Sequence, residues 1–282
     1  MCANWIEKWM ENDTRGEVVS KDFHQEFDKL LNMLKNDENF AFTRFSDGEL
    51  FIMQNKTVIL ADNHYVTGDI KGPNRYTKEE QKEFIPERDQ FYREKLIECF
   101  KHSQENYFKG ICTATDGHVG KQNFEWQLEI LERNQTNLTF ANVLINANYR
   151  KFIEEMVPLF ANRDVIYVVN EMANTSRLPF EVKKTFEIGT NCMINDYNVV
   201  EEIKTYIAEN NIENHIILCS AASLSNFVIY ECFKNNSNNT FLDIGSCLNP
   251  FLELEGWKYT RGYLTHYWLD SGSPFGSQVD AW

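Results

Sequence analysis

The run from Asp164 to Val169 is almost wholly apolar and stops at Asn170-Glu171. A strand apolar on both sides cannot turn one face to water, so it belongs in a sheet covered twice, the usual condition of parallel strands. The same abrupt stop recurs along the chain. Phe40-Ala41-Phe42 runs into Arg44-Phe45-Ser46-Asp47-Gly48-Glu49, Tyr107–Cys112 into a loop holding Asp116 and His118, and a strand through Leu138, Phe140, Val143 and Leu144 into Asn146 and Asn148. A strand near Thr185–Ile188 follows, then His215–Cys219 stops at Ser220-Ala221-Ala222-Ser223, and Phe241-Leu242-Asp243-Ile244-Gly245 is the last of the series.

Between these strands the apolar residues return at helical spacing. Examples are Phe23, Phe27, Leu30, Leu31 and Leu34, a helix from about Glu87 to Lys101, Phe124 with Leu128 and Leu131, Phe152 with Met156 and Leu159, and Val199, Val200, Ile203 and Ile207. Ser220 opens a further helix through about Phe233. Strands alternating with helices define an α/β fold with a mainly parallel sheet, helices on both faces and right-handed crossovers. Neither an internal repeat nor an interdomain linker interrupts residues 1–282, which read as a single domain. Residues 1–19 form an N-terminal extension whose Trp5 and Trp9, at i and i+4, could pack elsewhere or seed a homodimer contact. Residues 246–282 form an irregular aromatic tail expected to fold over the carboxyl edge of the sheet. The turn-rich stretch from Val58 to Tyr76 reads as a substrate loop.

The 282 residues carry a formal net charge of -14, which argues against a surface that coats nucleic acid or anionic membrane. Any phosphate must therefore be held locally, by a metal or a few basic residues. No segment approaches the roughly 20 apolar residues of a membrane span, and residues 1–20 hold charges and two tryptophans where a signal peptide would be apolar. A cytoplasmic protein follows, with peripheral membrane association left open. The 7 cysteines are scattered and form no C-x-x-C pair, as expected of reduced thiols. The Asn-x-Ser/Thr sequons reflect an asparagine-rich composition rather than glycosylation.

In a doubly wound fold the polar strand ends converge on one crevice. Asp47 and Glu49, one residue apart after the first strand, offer two hard carboxylates suited to Mg²⁺ or Mn²⁺ shared with nucleotide phosphates, and Gly48 between them lets a ligand approach the backbone. Taken alone, the tripeptide is more often an ordinary acidic turn, because turns favour Asp and Gly. Ser220 and Ala221 stand where a helix start could seat a pyrophosphate, or where a helix is simply capped. Neither common nucleotide fingerprint, G-x-x-x-x-G-K-[ST] nor G-x-G-x-x-G, occurs. His64, His118 and His266 lie in polar loops without metal-ligand spacing. Asp243 is either an active-site carboxylate or a turn-stabilising acid. Leu242-Asp243-Ile244-Gly245-Ser246 superficially resembles the first motif of S-adenosylmethionine methyltransferases, but it falls at the wrong end of the chain.

The order of motifs resembles the GT-D type glycosyltransferases, whose Rossmann-like domain carries a D-x-E metal motif. The matches are Arg44 to Glu49 after an early strand, the Val165-to-Glu171 strand, the Ser220-Ala221-Ala222 helix start and Leu242-Asp243-Ile244-Gly245 as the late strand. They span most of residues 20–265, and Ser46 stands where the family commonly has glycine. The resemblance implies that Asp47 and Glu49 hold Mn²⁺ or Mg²⁺ against the diphosphate of a UDP-sugar. Arg44, Ser46, Gly48, Asn170, Glu171, Ser220 and Ala221 would line the donor site. Asp243, Asp116 and His266 are candidates, in that order, for the base that an inverting transfer to a glycan acceptor requires. Tyr263, Tyr267 and Trp268 could stack on sugar or uracil. A methyltransferase, or a binding module with a structural acidic turn, are the alternatives.

Overall fold

Seven parallel strands form the central sheet, in the order β7-β6-β1-β11-β10-β8-β9. The structure, a computed structural model, describes residues 23–112, 120–131, 137–145 and 148–256. Its strands are β1 (Ala41–Phe45), β2 (Val58–Leu60), β3 (Tyr65–Thr67), β4 (Ile70–Gly72), β5 (Lys82–Phe84), β6 (Tyr107–Ile111), β7 (Leu138–Phe140), β8 (Val165–Asn170), β9 (Lys184–Ile188), β10 (Ile216–Cys219) and β11 (Thr240–Asp243). Every residue of β6, β8, β10 and β11 is buried, as the unbroken apolar runs require.

Helices α1 (Phe23–Lys35), α2 (Asp47–Met53), α3 (Gln90–Lys101), α4 (Gly120–Ile130), α5 (Val199–Glu209) and α6 (Leu224–Asn235) connect and cover the strands. The apolar stripe read from the sequence on α1 is buried throughout, Phe27, Leu30 and Leu31 almost completely. α6 packs on β1 and β11 and is flanked by α3 and α5. Residues 149–162 are helical but change pitch, from α at Tyr149–Lys151 through π at Phe152–Met156 to 3₁₀ at Val157–Asn162, where Pro158 removes a backbone donor.

The chain works outward from β1 through β6 to β7, crosses to lay β8 and β9, and returns through β10 to β11 beside β1. The order reverses at β1, and at such a reversal the loops leaving neighbouring strands diverge and open a crevice. Two sequence expectations change here. The segment expected to be a loop between Val58 and Tyr76 instead begins a four-stranded antiparallel sheet, β4-β3-β2-β5, whose short strands pair Val58 with both Thr67 and Phe84. The strand expected through Leu144 ends at Phe140, and residues 141–145 are turns. Trp5, Trp9, the 113–119 loop with Asp116 and His118, Asn146, and the tail from residue 257, with Tyr263, His266, Tyr267 and Trp268, lie outside the described residues.

Candidate active site

β1 delivers Ser46 at the N-cap of α2, so Asp47 and Glu49 occupy the first turn of that helix, where carboxylates are favoured. Glu49 folds back and accepts the Ser46 N–H on Oε2 at 3.1 Å. Its other oxygen accepts the Ser223 hydroxyl at 2.5 Å. Ser223 is the N-cap of α6 but turns its hydroxyl away from its own helix to reach Glu49. The acidic turn after β1 is thereby tied to the turn after β10. Asp47 uses one oxygen locally, Oδ1 accepting the Gly48 N–H at 2.9 Å and the Ser46 hydroxyl at 3.3 Å. Its Oδ2 has no partner among the described residues, and Asp47 lines a cleft of about 830 Å³.

Arg44, next to last in β1, reaches across to β11. Its Nε lies 3.3 Å from Asp243 Oδ1, and both side chains are largely buried. Asp243 also accepts the Gly245 N–H at 3.1 Å. Gly245 has φ +48, and a Cβ there would fall 2.0 Å from Arg44 Nη2, so the guanidinium lies directly over the glycine and any side chain there would displace it. Asn226 of α6 fixes the strand beneath, donating to the Arg44 carbonyl at 2.7 Å and to Thr43 Oγ1 at 2.9 Å. Burial raises the Asp243 pKa from its ordinary value, Arg44 opposing and Glu49 reinforcing the shift. Burial alone would lower the Arg44 pKa, but the Asp243 and Glu49 charges outweigh it and the net shift is upward.

Lys82, which sequence reading did not single out, enters from β5. Its Nζ would lie 2.9 Å from a Cβ at Gly48, so the ammonium occupies the space that the missing side chain leaves beside Asp47. It has no ion-pair partner among the described residues, and it lines the same cleft. Nothing local in the sequence could have pointed to it, because β5 joins the site only through the pairing of the small sheet. That sheet and the segment between β4 and β5 build the opposite wall with Tyr65, Asn74, Tyr76 and Glu80.

The turn after β10 departs from expectation. The helix begins at Leu224, and Ser220 and Ala221 precede it. The Ser220 N–H is taken by the Val168 carbonyl at 2.9 Å and the Ala221 N–H by Ser225 Oγ at 3.1 Å, while the Ser220 hydroxyl pairs with Tyr167 at 2.8 Å. The N–H groups without partners among the described residues are those of Ala222, held at φ +43, and Ser223. Any anion seat therefore sits two residues beyond the expected position. Asn170 lines the cleft; Glu171 is exposed and does not. Cys219 is buried and its thiol pKa is raised by that burial, as for a core residue. Cys192, another buried thiol, does line the cleft, its pKa pushed up to about 12 by burial.

These residues place both carboxylates, Arg44, Asp243, Ser46, Gly48, Ser220, Ala221 and Asn170 around one crevice at the switch point of a Rossmann-like sheet. No group of three His, Cys, Asp or Glu among the described residues is arranged to hold a metal. What the site does offer is one Asp47 oxygen without a partner among the described residues, beside the buried Glu49 carboxylate, whose two oxygens each accept a hydrogen bond. That set fits an ion completed by substrate phosphates and water, the usual manner of Mg²⁺.

The fold defines the chain as an α/β protein with a Rossmann-like, mainly parallel sheet. It superposes with a TM-score of 0.51 on "a new glycosyltransferase (DUF1792) from Streptococcus sanguinis", at 13% identity over 81% of each chain. It also superposes at 0.52 on a selenomethionine-substituted structure of domain of unknown function 1792, at 11% identity over 87% of this chain and 82% of that one. No family model matches the chain, and no curated protein matches it. The Rossmann-like α/β fold expected from the alternation of strands and helices is thus present and is shared with these solved structures. No helix among the described residues is long and apolar enough to cross a membrane.

Proposed function

We propose that this chain is a metal-assisted glycosyltransferase that moves a sugar from a nucleotide donor, UDP-linked, to a hydroxyl of a glycan or glycoconjugate. The observation that carries the reading is the meeting, at the switch-point crevice, of an Asp47 oxygen without a partner, the Lys82 ammonium and the Arg44–Asp243 pair. Its fold is shared with a solved structure titled a glycosyltransferase.

In this reading Asp47, with Glu49 beside it, would hold Mn²⁺ or Mg²⁺, and the ion would supply positive charge against the departing diphosphate. Lys82 approaches the same phosphates from the opposite wall. The free N–H groups of Ala222 and Ser223 receive a phosphate oxygen. Arg44 is committed to Asp243 and keeps that carboxylate in place. In an inverting transfer Asp243, its pKa raised by burial, is the described carboxylate placed to accept the acceptor's proton. The methyltransferase alternative is disfavoured because Arg44 fills the space over Gly245 that a cofactor would need.

Thermal shift with UDP plus Mn²⁺, UDP alone and S-adenosylmethionine tests the reading. A shift with UDP that requires the metal supports it. A shift with S-adenosylmethionine alone would sink it, and no shift with any of them would favour a non-catalytic binding module.

A further inference from the structure

Lys82 enters the cleft from an edge strand of only 3 residues, and β2 holds just one side of that strand. So short a strand is weakly fixed by a single partner. The open side of β5 is covered by one residue from the main domain. Asn191, in the turn after β9, donates its backbone N–H to the Gln81 carbonyl at 3.2 Å and accepts the Glu83 N–H on Oδ1 at 3.0 Å. The two bonds bracket Lys82. A residue in a parallel ladder bonds both neighbours of the residue opposite in the same way, except that here a carboxamide oxygen replaces the backbone carbonyl.

Asn191 is spent on β5 rather than on its own helix. It stands at the N-cap of the short helix Cys192–Asn195, where an Asn side chain ordinarily accepts an N–H of the first turn, and it makes no such bond. Its backbone is left-handed, φ +56, a conformation that Asn tolerates. The turn around it is pinned on every side. Asp196 Oδ2 accepts the Gly189 N–H at 2.9 Å, Asn195 Nδ2 donates to the Thr190 carbonyl at 2.8 Å, and the Thr190 hydroxyl donates to the Lys78 carbonyl at 3.1 Å. The next residue, Cys192, donates its thiol to the Ala221 carbonyl at 3.2 Å. One turn therefore joins the strand that carries Lys82 to the turn after β10 that carries the Ala222 and Ser223 N–H groups.

Resting on the nucleotide-donor reading above, we propose that Asn191 is the positioning residue for Lys82. Its carboxamide fixes the backbone on one side of that lysine and its N–H fixes the other, so that the ammonium is held beside Gly48 before a phosphate arrives. Without Oδ1 the Glu83 N–H is released, β5 loosens, and binding must then order the ammonium as well, which costs affinity. Asn191 also lines the cleft, so a direct contact with the nucleotide is the competing role.

The test is titration calorimetry of the full chain with UDP and Mn²⁺ on wild type, Asn191→Gly, Lys82→Met and the double variant, with hydrogen exchange of the Glu83 amide followed in the first two. Glycine accepts the left-handed φ and keeps the N–H for Gln81, so only the side-chain acceptor is removed. The expected result is faster Glu83 exchange and UDP binding weakened by about threefold to tenfold in Asn191→Gly, with no further loss when that change is added to Lys82→Met. A general loosening of the wall, or a direct contact of Asn191 with the nucleotide, would weaken the Lys82→Met protein too, and that additivity would overturn the assignment. So would unchanged Glu83 exchange, or wild-type UDP affinity in Asn191→Gly while Lys82→Met is weakened. Absence of UDP binding in the wild type, or full affinity in Lys82→Met, would instead remove the phosphate role of the cleft or of Lys82, and the positioning role with it.

Discussion

Asp47 and Glu49 looked equivalent as two acids one residue apart, and their surroundings separate them. Glu49 is a buried strut holding Ser46 and Ser223, whereas Asp47 keeps an oxygen for something outside the chain. Glu49→Ala leaves two donors without their acceptor and is expected to cost roughly 1–3 kcal/mol for each that stays buried, visible as a lowered urea midpoint. Asp47→Asn keeps the local hydrogen bond to Gly48, so its stability should stay within about 0.5 kcal/mol of wild type, while metal-dependent nucleotide binding is lost. Replacing Asp47 and Glu49 together would therefore not report on the metal alone. Gly48 gives a second contrast. Its substitution by alanine meets only the mobile end of Lys82, so Gly48→Ala should melt near the wild type yet bind UDP about tenfold more weakly, a difference of about 1.4 kcal/mol. Lys82→Met should show the same loss, and the two together should lose little more than either alone, because both remove one ammonium. Additive losses in titration calorimetry would contradict that pairing.

At the scale of elements, two positions in β6 make strong claims. A Cβ at Gly110 would lie 2.8 Å from the Ala141 Cα and 2.9 Å from the Phe140 carbonyl, both backbone atoms that cannot step aside. Gly110→Ala should therefore destabilise the protein by about 1–3 kcal/mol through overpacking, measured by denaturant unfolding. Beside it, Lys109 is buried and donates to the Phe100 and His102 carbonyls at 3.1 and 2.7 Å, closing the C-terminal end of α3. Burial lowers its pKa to about 7. A depressed lysine holds fewer protons folded than unfolded, so its contribution to stability is full above the unfolded value near 10.4 and is lost as pH falls toward 7. Stability should accordingly rise with pH across that window, by at most about 1.4 kcal/mol per unit, and Lys109→Met should flatten the rise. An unchanged slope in the variant would show that the ammonium stays charged against the helix carbonyls.

Across the whole molecule, the features legible in the sequence were those set by local pattern. The unbroken apolar runs that became β8 and β10 declared a sheet covered on both faces, and the polar stops after β1, β8, β10 and β11 declared its working edge. What could not be read were the features made by contacts between distant segments. Lys82 reaches Gly48 only because β5 pairs with β2, and the Ser223–Glu49 bond joins residues 174 apart. The helix expected from Ser220 starts four residues later because Ala222 holds a left-handed φ of +43, which no α-helical turn can include. The long polar segment after Val58 read as a loop because strands of three residues are too short to show an alternating pattern.

The central claim is that this crevice holds a nucleoside diphosphate through a divalent ion at Asp47. Titration of UDP into wild type and Asp47→Asn, each with and without Mn²⁺, addresses it directly. The account predicts metal-dependent binding in the wild type and loss of that dependence, with at least tenfold weaker binding, in a variant that melts at the same temperature. Equal UDP affinity in the two proteins, or wild-type binding indifferent to Mn²⁺, would contradict it.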